Sequence, residues 1–235
     1  MGDRKRAIVV GGSKGIGLAI AKSLAERGEQ IVVTSRDLER AHAAARGIGA
    51  NASGLAVDLA APQSIATAFA GLGPVDHLVI GAFEAIFNPM KDFSAAGAER
   101  LATIKLVGYA ETVHALLPQF APGASVVLIG GQAREFPYTG GVMVSAVNGA
   151  IASMVKALAM ELGPLRVNAI HPGLVIDSPR WAAATEAAER VRARTPSGHP
   201  ATMADCAHAA CFLLDNPGVN GVNLAIDGGF GVGLA

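Results

Sequence analysis

A glycine-rich turn near the N-terminus carries the clearest chemistry in this sequence. Gly11, Gly15 and Gly17 are spaced as G-x-x-x-G-x-G, between the apolar run Ala7–Val10 and the helical pattern Gly15–Arg27. Glycines let backbone N–H groups approach a pyrophosphate, and the dipole of the following helix stabilises an anion. The spacing alone also fits a plain tight turn, but the flanking strand and helix favour a dinucleotide site. The candidate cofactor contacts in this turn are Gly11, Ser13, Lys14, Gly15, Ile16 and Gly17.

Two basic residues indicate which dinucleotide would bind. A site for NAD has a carboxylate at the end of the second strand, about 20 residues after the glycines, to bind the ribose 2′-hydroxyl. This sequence has Ser35 there, followed by Arg36, whose guanidinium could pair with a 2′-phosphate. Lys14 adds a second positive charge, although both basic residues could also be ordinary surface charges. We therefore expect NADP(H) rather than NAD(H), with Asp37 as the N-cap of the next helix.

Residues after the third and fourth apolar runs could hold the adenosine. Asp58, which precedes Leu59, offers a carboxylate that could accept a hydrogen bond from the adenine amino group. The same carboxylate could instead cap the helical pattern that begins at Pro62. Gly81 and Ala82 follow the fourth run, and their small size would let the adenosine approach closely.

Short apolar runs alternate with helical patterns along the whole chain. The runs are rich in Val and Ile, which is typical of buried parallel strands. They are Ala7–Val10, Ile31–Thr34, Gly54–Val57, His77–Ile80, Ser125–Ile129, Arg166–Ile170 and Asn223–Ile226. The helical patterns are Gly15–Arg27, Asp37–Gly47, Pro62–Gly71, Ala95–Phe120, Val142–Leu162 and Met203–Asp215. This alternation predicts a single Rossmann-type α/β domain over residues 1–235, with a doubly wound, mostly parallel sheet and helices on both faces.

Composition disfavours several kinds of partner. The 235 residues carry a formal net charge of zero, so we expect no general attraction to nucleic acid or to an anionic membrane. The apolar runs are too short to span a bilayer, and no signal peptide is recognisable. No cluster of His, Cys and Asp has the spacing of a metal site. Cys206 and Cys211 are predicted to be free thiols on one helix, which suits a cytoplasmic protein.

Three loops are expected to border a substrate pocket, at about residues 83–93, 132–141 and 174–200. They carry few charges, which favours a small, weakly polar substrate. The last loop belongs to a long irregular stretch, His171–Pro200. Its basic run is interpreted as a solvated helix face. That run consists of Arg190, Arg192 and Arg194.

These motifs together resemble the short-chain dehydrogenase/reductase family over essentially the whole chain. Further motifs that match in the family's order are Asp76–Val79, Glu161–Gly163, Arg166–Ala169, His171–Gly173 and Asp227–Gly229. The resemblance implies a nicotinamide-dependent oxidoreductase that pairs through its two long helices as a homodimer or homotetramer. It also implies that Pro172, Gly173 and the backbone near Val175 hold the nicotinamide.

The residues that carry this family's chemistry are replaced here. The family uses a Tyr as general acid, a Lys that lowers the pKa of that Tyr and holds the ribose, a Ser that orients the substrate carbonyl, and an Asn that helps to hold a water. The resemblance places Val144 at the Tyr position and Asn148 at the Lys position. It places Gly131 at the Ser position and Lys105 at the Asn position. Gly141 stands where enoyl reductases of this fold have their Tyr, and neither Val nor Gly offers a side-chain proton.

Relative to the family, the Lys and the Asn have therefore exchanged helices, with Lys105 at the Asn position and Asn148 at the Lys position. We hypothesise that Lys105, with a pKa lowered by burial, keeps a positive charge in the site and acts as proton donor. Asn148 would bind the nicotinamide ribose. The alternative is that an unused site has drifted. Tyr138, in the loop after the fifth strand, is a further candidate acid.

Three other polar side chains have structural interpretations. Tyr109 lies four residues after Lys105 on one helical face, and the resemblance implies that this helix, and with it Tyr109, packs against a second subunit. His114 lies on the opposite face of that helix. His171 is interpreted as a hydrogen-bonded histidine at a strand end.

The sequence thus predicts an NADP(H)-dependent oxidoreductase that acts on a carbonyl or alcohol with a non-standard proton donor. The alternative is a catalytically inactive NADPH-binding sensor or partner subunit. Lys14, Arg36 and the intact glycines argue against a chain that has lost the cofactor as well. Because the first two hypotheses share the cofactor, only a substrate assay separates them.

Overall fold

A seven-stranded parallel sheet lies at the centre of the fold. The computed structural model describes residues 4–84, 86–179, 181 and 185–232. The strands are β1 (Arg6–Val10), β2 (Gln30–Ser35), β3 (Ala52–Ala56), β4 (Val75–Ile80), β5 (Phe120–Ile129), β6 (Arg166–Pro172) and β7 (Asn223–Ile226). Their order is β3-β2-β1-β4-β5-β6-β7, and all neighbours are parallel. This order confirms the predicted doubly wound, Rossmann-type sheet.

Helices cover both faces of this sheet. They are α1 (Gly15–Glu26), α2 (Leu38–Ile48), α3 (Ile65–Ala68), α4 (Ala95–Ala102), α5 (Gly108–Leu116), α6 (Val142–Glu161), α7 (Thr185–Arg194) and α8 (Met203–Asp215). Alternate residues of β1 point into opposite layers: Ile8 and Val10 pack with residues of α3, α5 and α6, whereas Ala7 and Val9 pack with α1 and α8. Burial on both faces explains why most residues of the inner strands are apolar. The edge strands β3 and β7 are only partly buried.

The predicted long helix 95–120 is divided by a π-helical turn. Helix α4 passes into a π turn at Thr103–Val107, then into α5, and ends in a 3₁₀ turn at Leu117–Gln119. Gly108 lies against Leu59, and a Cβ at Gly108 would come within 2.6 Å of the Leu59 carbonyl oxygen. This glycine therefore permits close packing just after the π turn. Such turns recur at functional sites, and this one contains Lys105.

Two predicted segments differ from the structure. The predicted helix 62–71 consists of a 3₁₀ turn, Pro62–Ser64, followed by the short α3. The stretch 171–200, predicted to be irregular, contains helix α7. Arg190 and Arg192 of α7 lie 3.7 Å from Glu186 and Glu189, respectively. These exposed pairs stabilise a helix that has no apolar stripe, and they fit the predicted solvated face. Residues 85, 180 and 182–184 of the predicted substrate loops lie outside the described residues.

Helix α6 is long and apolar enough to cross a membrane by length and composition alone, although its uninterrupted apolar runs are short. Ile151 and Val155 are buried against the sheet and Val147 is buried against Leu101 of α4, so α6 is a packed helix of this fold. Cys206 and Cys211 on α8 are buried and free, as predicted.

Candidate functional site

The glycine turn packs tightly between β1, α1 and the end of β4. Gly11 adopts a φ of +79°, and a Cβ there would lie 2.7 Å from the Ala82 nitrogen. A Cβ at Gly17 would lie 2.4 Å from the Gly11 oxygen. The Gly11 N–H donates to Thr34 Oγ1 at 3.4 Å. Side chains at these glycines would fill the space beside the turn, called here the cradle. Thr34 supports the turn, a role that could not be predicted from its position inside a buried strand.

The adenosine end of the site carries the predicted basic residues. Asp37 accepts a hydrogen bond from the Arg40 N–H at 2.7 Å and is the N-cap of α2, as predicted. Ser35 is nearly buried, and its hydroxyl accepts from the Asp37 N–H at 3.3 Å. Arg36 is half exposed, and its guanidinium lies 3.2 Å from Glu84, a partner that the sequence analysis did not anticipate.

Asp58 and Leu59 have local structural roles after β3. Asp58 Oδ1 accepts a hydrogen bond from the Ala60 N–H at 2.9 Å and so closes a local turn. The N-cap of the 3₁₀ turn at Pro62 is Ala61, without a side-chain cap, so the interpretation of Asp58 as the cap of that helical pattern is wrong. The Leu59 side chain is buried in the core. An adenine contact from this segment stays a prediction.

The Pro-Gly motif lies at the carboxyl end of β6. Pro172 pairs with Ile226, and the Gly173 N–H donates to the Ile226 carbonyl at 2.9 Å. A Cβ at Gly173 would lie 2.7 Å from the Asp227 Cβ, so glycine lets this loop lie against the end of β7. Val175 follows and is buried. The motif therefore lies at the same edge of the sheet as the glycine turn.

Lys105 is buried between the carboxyl ends of β4 and β5. Its residue surface is 2% exposed, and Nζ donates to the Ile129 carbonyl at 2.6 Å. Nζ also lies 5.6 Å from the centre of the Phe83 ring, within the range of a cation–π contact. Burial lowers the pKa of Lys105 to about 7. An amine with this pKa is present in both protonation states near neutral pH, which suits proton transfer.

Tyr109 lies beside Lys105 inside the molecule, so the expectation that it packs against a second subunit is wrong. The residue is fully buried, and its Oη is 3.3 Å from Lys105 Nζ. Oη also donates to the Ala82 carbonyl at 3.0 Å. Burial raises the pKa of Tyr109, so the phenol stays protonated. Tyr109 therefore positions Lys105 and links it to the end of β4.

Replacing Tyr109 with phenylalanine is expected to lower the free energy of unfolding by about 1–3 kcal/mol, because Ala82 O and Lys105 Nζ each lose a buried partner. Urea unfolding followed by circular dichroism measures this change. Tyr138→Phe is the matched control, since the Tyr138 ring is exposed and its loss of a hydroxyl should have little effect. Equal stability of the two variants would contradict the positioning role.

Asn148 has a buried acceptor without a partner. The residue is 4% exposed, and Oδ1 forms no hydrogen bond with the described residues. A Cβ at Gly131 would lie 2.9 Å from Asn148 Nδ2, so the absence of a side chain at 131 makes room for this amide. The replacements at 131 and 148 are thus sterically linked. An unpartnered buried acceptor is costly unless a ligand or water supplies a donor.

Further unpartnered atoms lie near the start of α6. Of five such atoms in the described part of the chain, four lie on the 3₁₀ turn Gln132–Arg134 and on α6, two elements that pack together. They are Gln132 Oε1, Arg134 Nε, Ser145 Oγ and Asn148 Oδ1. Tyr138 lies in the following loop, where its ring contacts Gly141. These buried atoms include both hydrogen-bond donors and acceptors.

His171 is a hydrogen-bonded histidine at the end of β6, as predicted. Nδ1 accepts from the Gly131 N–H at 3.2 Å, and Nε2 lies 2.8 Å from Asn223 Oδ1. These partners fit the neutral ring with its proton on Nε2. Burial, aided by the charges of Arg134 and Lys105, lowers the pKa of His171 to about 4.

We expect the protein to lose stability as the pH falls from about 6.5 to about 4. The unfolded chain binds a proton at His171 in this window and the folded chain does not, so the free energy of unfolding falls by about 3 kcal/mol. Urea midpoints at a series of pH values measure this loss. His171→Asn should flatten the dependence, whereas the exposed control His114→Gln should keep it. An unchanged slope in His171→Asn would refute the assignment.

The sheet order and the covering helices define a doubly wound, Rossmann-type α/β protein, and comparisons with known proteins agree. Residues 10–231 match the family model described as "Enoyl-(Acyl carrier protein) reductase". L-xylulose reductase of Bos taurus is 30% identical over 96% of each chain, and carbonyl reductase [NADPH] 2 of Sus scrofa is 28% identical over 96% of each. The crystal structure of 3-ketoacyl-(acyl-carrier-protein) reductase from Brucella melitensis complexed with NADH superposes with a TM-score of 0.86, at 26% identity, over 97% of this chain and 98% of that one. The chain belongs to the short-chain dehydrogenase/reductase family.

Proposed function

We propose that this protein is an NADP(H)-dependent oxidoreductase that reduces a carbonyl compound, or oxidises the corresponding alcohol, with Lys105 as proton donor. The observation that carries the proposal is a buried amine with a pKa of about 7 at the carboxyl edge of the sheet. Ligands of doubly wound sheets bind at that edge. The names of the relatives, which are reductases, support the reaction class.

The residues present fit a nicotinamide dinucleotide. The cradle around Gly11 and Gly17 would receive the pyrophosphate, and Arg36 with Lys14 would bind the 2′-phosphate. Asn148 Oδ1, the unpartnered acceptor, would accept a hydrogen bond from a ribose hydroxyl. The candidate contacts at Ser13, Ile16, Gly81 and Pro172 belong to the same proposal. A bound nicotinamide supplies the hydride.

Lys105 would deliver the proton. A protonated amine carries three hydrogens, and the two partners described for Nζ are the Ile129 carbonyl and Tyr109 Oη. One hydrogen is therefore left for the oxygen of a bound carbonyl. The positive charge also stabilises the negative charge that develops on this oxygen during reduction. Restoring the amine's proton from solvent completes the cycle.

The buried polar atoms that lack a hydrogen-bond partner favour a more specific class of substrate. Gln132 Oε1 accepts hydrogen bonds only, Arg134 Nε donates only, and Ser145 Oγ does both. A small carbonyl compound with neighbouring hydroxyl groups would satisfy this set better than the weakly polar molecule that the loop composition favours. L-xylulose reductase, named among the relatives, is so called for a substrate of this kind.

Assembly and location complete the proposal. Met160 on α6 is 90% exposed, and a second subunit covering this helix would bury it in a homodimer or homotetramer. The two free, buried cysteines suit the reducing cytoplasm.

Consumption of NADPH with a panel of small hydroxylated ketones and aldehydes tests this function. Saturable turnover, with product formed in equal amount to the NADPH consumed, is the expected result. NADPH binding without turnover on any member of the panel would favour the second candidate, an NADPH-binding sensor or partner subunit. Val144, which is buried and has no proton to give, is the observation that keeps this candidate open.

A further inference from the structure

An ion-pair bridge crosses the carboxyl edge of the sheet from β2 to β4. Arg36, just after β2, has Nη1 3.2 Å from Oε2 of Glu84, which follows β4. The same Oε2 accepts a hydrogen bond from Arg100 Nε of α4 at 3.0 Å. Because β1 lies between β2 and β4, the Arg36–Glu84 bridge passes across the end of β1. The glycine turn begins at that end.

The bridge therefore lies in the crevice where the proposed cofactor would bind. The strand order reverses at β1, since β2 and β3 lie on one side of it and β4 to β7 on the other. Doubly wound sheets bind ligands at this switch point, beyond the carboxyl ends of the strands. A dinucleotide seated on the glycine turn has to share the space with Arg36 and Glu84.

The chemistry of the bridge separates the two possible cofactors. A 2′-phosphate carries negative oxygens that compete with the Glu84 carboxylate for the guanidinium of Arg36. A neutral 2′-hydroxyl offers no such competition. Arg100 weakens the hold of Glu84 on Arg36, because it donates to the same Glu84 oxygen, which would otherwise bind Arg36 alone.

We propose that Glu84 lowers the preference of this protein for a 2′-phosphorylated cofactor by competing with the 2′-phosphate for Arg36, and that Arg100 weakens this competition. The inference rests on the proposed NADP(H) function. Side chains in the bridge are between 35% and 53% exposed, so the coupling is modest. We expect a change in affinity of about three- to fivefold, as for other exposed ion pairs.

Calorimetric titration with adenosine 2′,5′-bisphosphate and with 5′-AMP tests the proposal without the nicotinamide half. Glu84→Gln should bind the bisphosphate about three- to fivefold more tightly and should bind 5′-AMP unchanged. Glu99→Gln, which removes the same charge from an exposed position on α4, is the matched control and should change neither affinity. Equal bisphosphate affinities of Glu84→Gln and the wild type would overturn the proposal, as would an equal gain for 5′-AMP.

A double-mutant cycle defines the role of Arg100. Arg100→Met should weaken bisphosphate binding in the wild type, because Glu84 then pairs with Arg36 alone, and should have no effect in Glu84→Gln. A loss that persists in Glu84→Gln would show that Arg100 binds the phosphate itself and would overturn the three-residue bridge. Absence of bisphosphate and NADPH binding in every variant would instead refute the NADP(H) function, and the bridge proposal with it.

Discussion

Lys105→Met is expected to lower kcat for carbonyl reduction by about 100-fold or more while leaving the affinity for NADPH unchanged. General acids contribute factors of this size, and methionine fills the space of the lysine stem without donating a proton. The hydrogen bonds described for Nζ are to Ile129 and Tyr109 rather than to the glycine turn that would hold the pyrophosphate, which is why binding should survive. Steady-state kinetics and NADPH titration of the same preparation measure the two effects.

The pH dependence of the wild type gives an independent readout. Reduction needs the protonated amine, so kcat/KM should fall as the pH rises through about 7, the pKa of Lys105. Lys156→Met, at an exposed position on α6, should keep both the rate and this profile. A Lys105→Met enzyme with the wild-type kcat would contradict the assignment and leave Tyr138 as the candidate acid.

Arg36→Ser should strongly reduce the preference for the phosphorylated cofactor. Hydrogen bonds to charged groups contribute about 1.5–3 kcal/mol, so NADPH should bind about tenfold to a hundredfold more weakly, and NADH should bind as before. Direct titration with each dinucleotide measures the ratio. Arg46→Ser removes an exposed guanidinium from the far end of α2 and should change neither affinity. If Arg36→Ser weakened NADPH and NADH equally, Arg36 would act on a part that the two cofactors share.

Local sequence patterns predicted most of the strands and helices. Short apolar runs predicted the seven strands, and the inner ones are rich in Val and Ile because they are buried on both faces. Asp37 marked the start of α2 because its side chain caps that helix. The arginines of α7 were interpreted as a solvated helix face, but the bounds of this helix were not predicted because its exposed Arg and Glu side chains leave no apolar stripe to detect.

The site was harder to predict because its contacts are not local. The spacing of Lys105 and Tyr109 correctly places them on one face of a helix, but the π turn between α4 and α5 changes the direction in which that face points. The partner of Arg36 is Glu84, 48 residues away, and no local pattern joins them. The room that Gly131 makes for Asn148 likewise becomes apparent only when β5 and α6 are packed together.

Titration of the purified wild-type protein with NADPH and, separately, with NADH is the most direct test of the proposed NADP(H)-dependent function. Fluorescence of the reduced nicotinamide and thermal stabilisation report binding, and a ligand that binds only the folded state raises the melting temperature. We expect micromolar binding of NADPH and binding of NADH about tenfold or more weaker, because Arg36 and Lys14 would recognise the 2′-phosphate. Failure to bind either dinucleotide would show that the glycine turn no longer holds a cofactor, and would contradict both the oxidoreductase and the sensor.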